Sequence, residues 1–398
     1  MQKSISKAAI TWRLILSVLI VGSVISCEDT NTVGGGVVEP SDVRIDTIEV
    51  TNFEEISGII YSGDVQSISA GYYDDPLFGN HETIAYIKPT LMAAPDTPLN
   101  DSTTMALSLT FNKANAYGDT SSTANFSLYR VTELWRARSA LSSDQIAFDE
   151  SQLVGSFSYS GEDSLNVDIS EAFFLDYASY VNNDSTNRDS LYNFEFFGLS
   201  IVPDQVSAQI IYPNVAQSNF ILSKIEEEDS TEVALNEFAF TLSRNNPPVF
   251  NNRFLLNNYL GNFYRINFEN EVADLNNVNI LSAELYLYED SLQLKSSLPA
   301  NHIRSNPNSL ELRFEENQEL LFDLQFFQPE FRATKDSSSK VFKFNITNFI
   351  NEYVFGDPDN DDLILNINPS GGIIRSTILF DTTSTAALKP KIVLKIAE

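Results

Sequence analysis

Apart from carboxylates, this sequence holds few side chains that could do acid–base or nucleophilic chemistry. Its 398 residues include one cysteine and two histidines, His81 and His302, which we expect to be isolated surface residues. Zinc–thiolate sites, disulfide frameworks and most histidine-dependent catalysis need more of these residues. The 54 aspartates and glutamates neither identify nor exclude a carboxylate pair for glycoside hydrolysis. With no phosphate-binding or hydrolase motif in the sequence, we expect a protein that is not an enzyme.

One short stretch combines aromatic and acidic residues and ends at a glycine. Its candidate site residues are Tyr72, Tyr73, Asp74, Asp75, Pro76, Phe78 and Gly79. Rings of this kind could face a sugar while the carboxylates bind its hydroxyls, which would make a small ligand site. The alternative is a structural turn, in which proline fixes φ, glycine takes a positive φ and the aromatic side chains close one end of a β-sandwich.

A loop near the C-terminus carries carboxylates at alternate positions, namely Asp357, Asp359 and Asp361. Successive oxygens at this spacing can face one calcium ion, although the glycine and glutamate that an EF-hand requires are missing. The loop is therefore either a structural calcium site, the one cofactor that the sequence suggests, or a plain acidic turn.

Trp135 is the single tryptophan outside the N-terminal segment. It follows a predicted strand that ends near Val131, where an indole ring could stack on a sugar or lie at a protein interface. A position in the core is the alternative.

Most of the chain has the hydrophobic pattern of β-strands. Apolar and polar residues alternate with a period of two at positions 105–111, 238–242, 283–287 and 310–314. This period predicts half-buried strands, and therefore a largely antiparallel sheet structure.

Two regions repeat the same order of elements. Residues 165–170 align without gaps on residues 342–347, and each segment is a predicted strand that ends at a hydroxyl residue suited to cap a short helix. Three later segments match in the same order. We therefore predict an all-β protein of two tandem antiparallel β-sandwich or jelly-roll domains, residues 46–245 and 246–398, each with one short helix. One large sandwich with similar halves is the alternative.

The N-terminus has the pattern of a targeting segment. Three basic residues precede an uncharged apolar stretch, residues 14–26, which is too short to cross a membrane as a helix. Its end, Val24-Ile25-Ser26-Cys27, resembles a bacterial lipobox, which implies a lipoprotein signal peptide over residues 1–26 and lipidation at Cys27. The alternative is an ordinary signal peptide with a chance cysteine. Residues 27–45 hold three consecutive glycines, a proline and acids with few large apolar groups, and this composition predicts a flexible tether.

The chain as a whole resembles an uncharacterised family of Bacteroidota outer-membrane lipoproteins, a domain of unknown function. The resemblance depends on the lipobox, the tether, the Asp-Pro-x-Phe-Gly core at residues 75–79 and the C-terminal β-module. The end of each predicted domain also resembles jelly-roll modules related in shape to carbohydrate-binding modules. These resemblances imply location and architecture but no activity. Acidic residues directly after Cys27 resemble a surface-export signal, so we expect the cell surface more than the periplasmic face.

These observations lead to a functional expectation. A formal net charge of -29 repels phosphate backbones, so we expect no nucleic-acid partner. We expect a lipid-anchored outer-membrane protein that serves as an accessory or scaffold subunit, with an outer-membrane β-barrel or a surface protein as its partner. A surface glycan-binding lipoprotein with a polysaccharide ligand is the alternative, and a glycoside hydrolase is a remote one. Exposed coplanar aromatic rings would favour the glycan, and a broad apolar patch would favour the protein partner.

Overall fold

The computed structural model describes residues 43–112, 116–224, 230–245, 250, 252–268, 272, 275, 278–314, 330–356, 362–368 and 371–397. The predicted signal peptide, most of the predicted tether and Cys27 lie outside these residues, as do Asp357, Asp359 and Asp361. Predictions for those segments therefore stay predictions.

Strands make up most of the described chain. Up to residue 159 they are β1 (Val43–Glu49), β2 (Asn52–Ser57), β3 (Ala70–Asp75), β4 (Gly79–Pro89), β5 (Thr103–Thr110), β6 (Tyr117–Asp119), β7 (Ala124–Val131) and β8 (Phe148–Tyr159). Up to residue 245 they are β9 (Ser164–Asp168), β10 (Leu199–Pro203), β11 (Gln209–Ile211), β12 (Asn219–Lys224) and β13 (Ser230–Asn245). The later strands are β14 (Arg253–Asn257), β15 (Asn262–Asn267), β16 (Asn279–Tyr288), β17 (His302–Ile303), β18 (Ser309–Phe314), β19 (Phe331–Thr334), β20 (Val341–Asn345), β21 (Asp362–Asn366), β22 (Ser376–Phe380) and β23 (Lys391–Ala397).

The described α-helices are short: α1 (Glu171–Val181), α2 (Arg188–Glu195), α3 (Ser291–Ser296) and α4 (Thr347–Phe355). Two lie before residue 245 and two after it, one more on each side than expected. Each unexpected helix is short, with eight residues in α2 and six in α3, and buries a single side chain, Tyr192 in α2 and Leu294 in α3. In the described part of the chain, no helix combines the length and the apolar character needed to cross a membrane.

The expected helix-capping residues do not act as caps. Ser170 precedes α1, but its side chain makes no capping hydrogen bond. Thr347 is the first residue of α4, and its hydroxyl accepts a hydrogen bond from the backbone N–H of Ala283 at 2.9 Å. The Thr347 hydroxyl therefore binds the neighbouring strand β16 and does not cap α4 as the sequence predicted.

Antiparallel pairing assembles the strands into three sheets, which confirms the all-β expectation. One sheet has the order β1-β23-β16-β20, and a second has the order β19-β18-β21-β15-β14-β22 with β2 beside β15. The third has twelve strands in the order β17-β6-β11-β3-β4-β13-β12-β5-β9, with β10 between β4 and β7 and with β8 beside β7. In β5, buried residues alternate with more exposed ones, as the period of two predicts.

The core extends across the predicted domain boundary. The main hydrophobic cluster combines Phe240 and Leu199 with Tyr259, Phe263 and Ile364 from the second half of the chain. Strand β17 also pairs with β6, and residues 45–396 form one compact unit. The division into tandem domains at residues 245 and 246 stays a prediction.

Candidate functional site

An open groove of about 790 Å³ lies against one face of the twelve-stranded sheet, where β4, β7, β8 and β10 run side by side. A second hollow of about 480 Å³ adjoins it towards β13. The two share Glu82, Ile84, Phe148 and Glu150 in their walls, so they are continuous. We call the two hollows together the sheet-face groove.

The alternation of β7 explains which side chains reach the groove. Phe126 and Leu128 are buried in the main core, whereas Asn125, Ser127 and Tyr129 point to the opposite face. The register continues this face across the sheet, because Tyr129 pairs with Ser200 of β10. One face of β7 therefore supports the fold, and the other lines the groove.

Part of this sheet face is covered by packed side chains, which we call the cover, and the uncovered part forms the groove. Trp135, Val131 and Tyr86 belong to a small hydrophobic cluster on this face, and Phe148 packs against it. Beyond this cluster, towards Glu82 and Ser158, the sheet face lines the open groove. Phe148 thus stands at the border between the covered and the open part of the face.

Two aromatic rings lie nearly parallel at this border. The ring centroids of Tyr129 and Phe148 are 5.8 Å apart, with an angle of 12° between the ring planes, and both residues are partly exposed. A bulge in β8 accompanies the pair, since Arg130 pairs with Asp149 but Tyr129 pairs with Leu153. The Asp149 carboxylate closes the bulge by accepting a hydrogen bond from the backbone N–H of residue 151 at 2.9 Å.

The charged groups that line this hollow are all hydrogen-bond acceptors, and amides and hydroxyls accompany them. Glu82, Glu150 and Asp204 contribute carboxylates, while Asn125 contributes an amide and Ser158 a hydroxyl. The Ser158 hydroxyl donates to Asn125 Oδ1 at 2.7 Å. The groove can therefore bury an apolar ring face and hydrogen-bond to donors at the rim of the same ligand.

The predicted stretch at residues 72–79 forms the hairpin between β3 and β4. Tyr73, Asp75 and Phe78 are buried, and Tyr72 is partly buried. Asp74 and Pro76 are exposed, and Gly79 has φ +82°, the left-handed conformation expected in a turn. The exposed and buried members alternate, so the structure does not bring them together as one surface.

The Asp75 carboxylate holds this hairpin in place by accepting five hydrogen bonds. Arg304 donates two hydrogen bonds to it, at 2.6 and 2.8 Å, and the Tyr117 hydroxyl donates a third at 2.9 Å. The backbone N–H groups of Leu77 and Phe78 donate two more. Burial alone would raise the pKa of Asp75, but its hydrogen bonds and the charge of Arg304 outweigh burial and hold that pKa below its usual value. This geometry favours a structural turn over a ligand site.

His81 does not lie at the surface, so that expectation was wrong. The β3–β4 register places it opposite Tyr73, and the β4–β13 register places it opposite Arg244, on an inward face. Burial lowers the pKa of His81 to about 4. His302 is partly exposed, with Nδ1 2.8 Å from the carbonyl oxygen of Ala300. A sequence gives no strand register, so it could not reveal that His81 faces inward.

Trp135 occupies the core position that the sequence left as its alternative. Its side chain is 8% exposed, and its indole N–H donates to the carbonyl oxygen of Phe197 at 2.8 Å. Its ring centroid lies 6.1 Å from that of Tyr86. The indole therefore supports the cover beside the groove and presents little surface to a ligand.

Among the described residues, no group of three or more histidine, cysteine, aspartate or glutamate side chains could hold a metal ion. The predicted calcium ligands Asp357, Asp359 and Asp361 lie outside those residues.

Tyr129 and Phe148 were not singled out from the sequence. Their only sequence signal is one aromatic residue in each of two neighbouring strands.

No model of a known protein family matches the chain, and no curated protein matches it. The function is therefore inferred from the geometry of the sheet-face groove.

Proposed function

We propose that this chain is a non-enzymatic glycan-binding protein whose site is the sheet-face groove. The observation that carries the proposal is the near-parallel pair of partly exposed rings, Tyr129 and Phe148, in an open groove lined by carboxylates, an amide and hydroxyls. The volume of about 790 Å³ lies within the range usual for ligand sites.

A sugar ring suits such a groove for physical reasons. Each pyranose has an apolar face of C–H groups and a rim of hydroxyls. Flat aromatic side chains bury the apolar face, and acceptors at their edge bind the hydroxyls. An open groove across several strands also leaves room for the chain to continue on both sides. Glu82 and Asp204 line the same groove and could accept hydrogen bonds from such hydroxyls.

The alternative role as a scaffold subunit has less support. The most exposed large apolar side chains are Val206 and Leu292, each 79% exposed, Ile45 at 66% and Phe194 at 61%. They lie after β10, in α3, in β1 and in α2 respectively, and so belong to separate elements. Single exposed apolar residues are ordinary at a protein surface, whereas a docking site for a protein is expected to be contiguous.

The location remains part of the proposal. Lipidation at Cys27 and the tether of residues 27–45 are inferred from the sequence, and they would hold the folded part at the outer membrane. On the cell surface, a tethered binding domain could reach polysaccharides outside the cell.

The first prediction tests the aromatic pair. In a binding screen of the purified full-length protein in mild detergent, against neutral, acidic and amino-bearing polysaccharides, we expect at least one class to bind. Tyr129→Ala and Phe148→Ala should each weaken that binding about tenfold or more, because aromatic anchors at a binding site contribute about 2 kcal/mol each. Calorimetric titration gives the affinities.

Phe194→Ala is the matched control, since Phe194 is an exposed aromatic residue on α2 and does not line the groove. It should leave the affinity unchanged. Full binding by a folded double variant, Tyr129→Ala with Phe148→Ala, would contradict the proposed site. The same incubations should release no new reducing ends, whereas their appearance would indicate a glycoside hydrolase.

A further inference from the structure

We infer that the ligand of the sheet-face groove is a cationic glycan, a chain of hexosamine units with free amino groups. The inference rests on the proposed function and names the chemical class of its ligand.

All charged side chains in the walls of the groove are acidic. Glu82, Glu150 and Asp204 line the first hollow, and Glu82, Glu150 and Asp144 line the second. Among the described residues, the walls of the two hollows contain carboxylates but no lysine, arginine or histidine. The chain itself carries a formal net charge of -29, so its other charges do not compensate this cluster.

The four carboxylates that are buried in the described part of the chain are each paired with a cation, whereas the carboxylates shared by the two hollows are not. The buried carboxylates of Asp75 and Glu311 each accept hydrogen bonds from an arginine. Glu82 and Glu150 form no ion pair within the part of the chain that the structure describes. Carboxylates that line one groove without a counter-charge create a negative potential there, and that potential attracts a cation.

The hydrogen-bonding pattern favours the same ligand. A carboxylate only accepts hydrogen bonds, and an ammonium group offers three donors and no acceptor. Glu82 and Glu150 both line the region shared by the two hollows, so the amino groups of a chain bound there would meet acceptors from two strands.

The aromatic pair adds an attraction for cations. An ammonium group within about 6 Å of a ring centroid is stabilised by the ring's negative face. Phe148 lines both hollows together with Glu82 and Glu150. In the described residues, no lysine or arginine of the chain itself lies over the ring of Tyr129 or Phe148. The ring faces also suit the C–H face of a sugar, which favours an aminoglycan over a basic peptide.

A pair of oligosaccharides with one backbone tests the inference. The probes are β-1,4-linked hexamers of glucosamine and of N-acetylglucosamine, which differ in charge and in the acetyl group. With the full-length protein at pH 6 and low salt, we expect the free-amine hexamer to bind at least about tenfold more tightly. This preference should shrink as the salt concentration rises to about 0.5 M, because salt screens exposed charges.

Substitutions in the groove provide the second arm. Glu82→Gln with Glu150→Gln keeps side-chain shape and removes two charges, so it should weaken binding of the free-amine hexamer about tenfold and abolish its advantage over the acetylated hexamer. Glu171→Gln, at an exposed position on α1, is the matched control and should have no effect.

Three results would overturn the inference. Equal or tighter binding of the acetylated hexamer, with the free-amine preference absent, would leave the proposed glycan-binding function standing and remove only the cationic class. Binding of an oligolysine of equal charge as tightly as the free-amine hexamer would assign the groove to basic peptides. If neither these hexamers nor any polysaccharide of the wider screen binds, the proposed function fails together with the inference.

Discussion

Replacing Asp75 with alanine should lower the free energy of unfolding by about 3–5 kcal/mol, the usual cost of removing one partner from a buried ion pair. The reason is that Arg304 would lose two hydrogen bonds and keep a buried guanidinium without a counter-charge. It would keep the hydrogen bonds that it donates to the carbonyl oxygen of Leu294 at 2.6 Å and to the Ser297 hydroxyl at 3.4 Å, neither of which carries a negative charge. Urea denaturation followed by circular dichroism measures the change.

The neighbouring carboxylate is a natural control. Asp74 is exposed, so Asp74→Ala should change the free energy of unfolding by no more than about 0.5 kcal/mol. An effect of Asp75→Ala as small as that of Asp74→Ala would contradict the structural role assigned to the Asp75 carboxylate.

A double replacement separates the value of the pair from the cost of breaking it. Asp75→Leu with Arg304→Met removes both charges, and apolar residues of similar volume often replace a buried pair with little loss. We expect the double variant to be more stable than Asp75→Ala. The backbone N–H groups of Leu77 and Phe78 would still lose their acceptor, so recovery should be incomplete.

The sequence predicted the parts of the fold that depend on local pattern. Strands β5, β13, β16 and β18 cover the segments where the period of two was found. The pattern is local because successive side chains of a strand point to opposite faces, so the apolar face appears at every second residue. The expectation that these strands are half-buried was wrong for β18, where Glu311 and Arg313 are buried as well as Leu310 and Leu312. The two short helices α2 and α3 were missed because each buries only one side chain.

Contacts between residues that are far apart in the sequence could not be predicted from local patterns. Asp75 was singled out as one member of an acidic, aromatic stretch, but its partner Arg304 lies 229 positions away in a segment with no unusual composition. Without the strand order, the sequence pattern of a buried ion pair cannot be distinguished from that of a ligand site or a turn. The burial of His81 was hidden for the same reason, because it depends on the pairing of β4 with β3 and β13.

The groove shows a further limit of sequence reasoning. Tyr129 and Phe148 lie nineteen positions apart, and they become neighbours because β7 pairs with β8 around a bulge at residues 150–152. The aromatic residue that the sequence did single out, Trp135, lies in the cover next to them. The aromatic residue singled out from the sequence is therefore a buried ring, because strand pairing decides which rings stay partly exposed.

The second large effect that we expect is a loss of stability in mild acid caused by His81. Its pKa is about 4 in the folded protein, because burial penalises the charged imidazolium, and about 6.5 when unfolded. Above pH 6.5 both states are neutral, and His81 contributes nothing to the pH dependence. Between pH 6.5 and 4 only the unfolded state binds the proton, so stability falls as the pH falls. The total is roughly 3 kcal/mol, and below pH 4 the loss stops growing.

The charged groups around His81 do not reverse this sign. The Asp75 charge raises the pKa of His81, whereas the charges of Arg244 and Arg304 lower it, and burial has the largest effect. Because Asp75 is itself held by Arg304, its charge is not free to pair with an imidazolium. Protonation of His81 inside the fold would therefore place another positive charge beside two arginines.

The difference between variants isolates this effect from the titration of carboxylates. His81→Gln cannot bind the proton, so its free energy of unfolding should fall less steeply between pH 6.5 and 4 than that of the unmodified protein. The divergence should approach about 1.4 kcal/mol per pH unit. His302→Gln is the matched control, since His302 is the only other histidine and is partly exposed, and its curve should follow the unmodified protein. Parallel curves for His81→Gln and the unmodified protein would mean that His81 is protonated as easily inside the fold as outside it, which contradicts its burial among Tyr73, Tyr117 and Arg244.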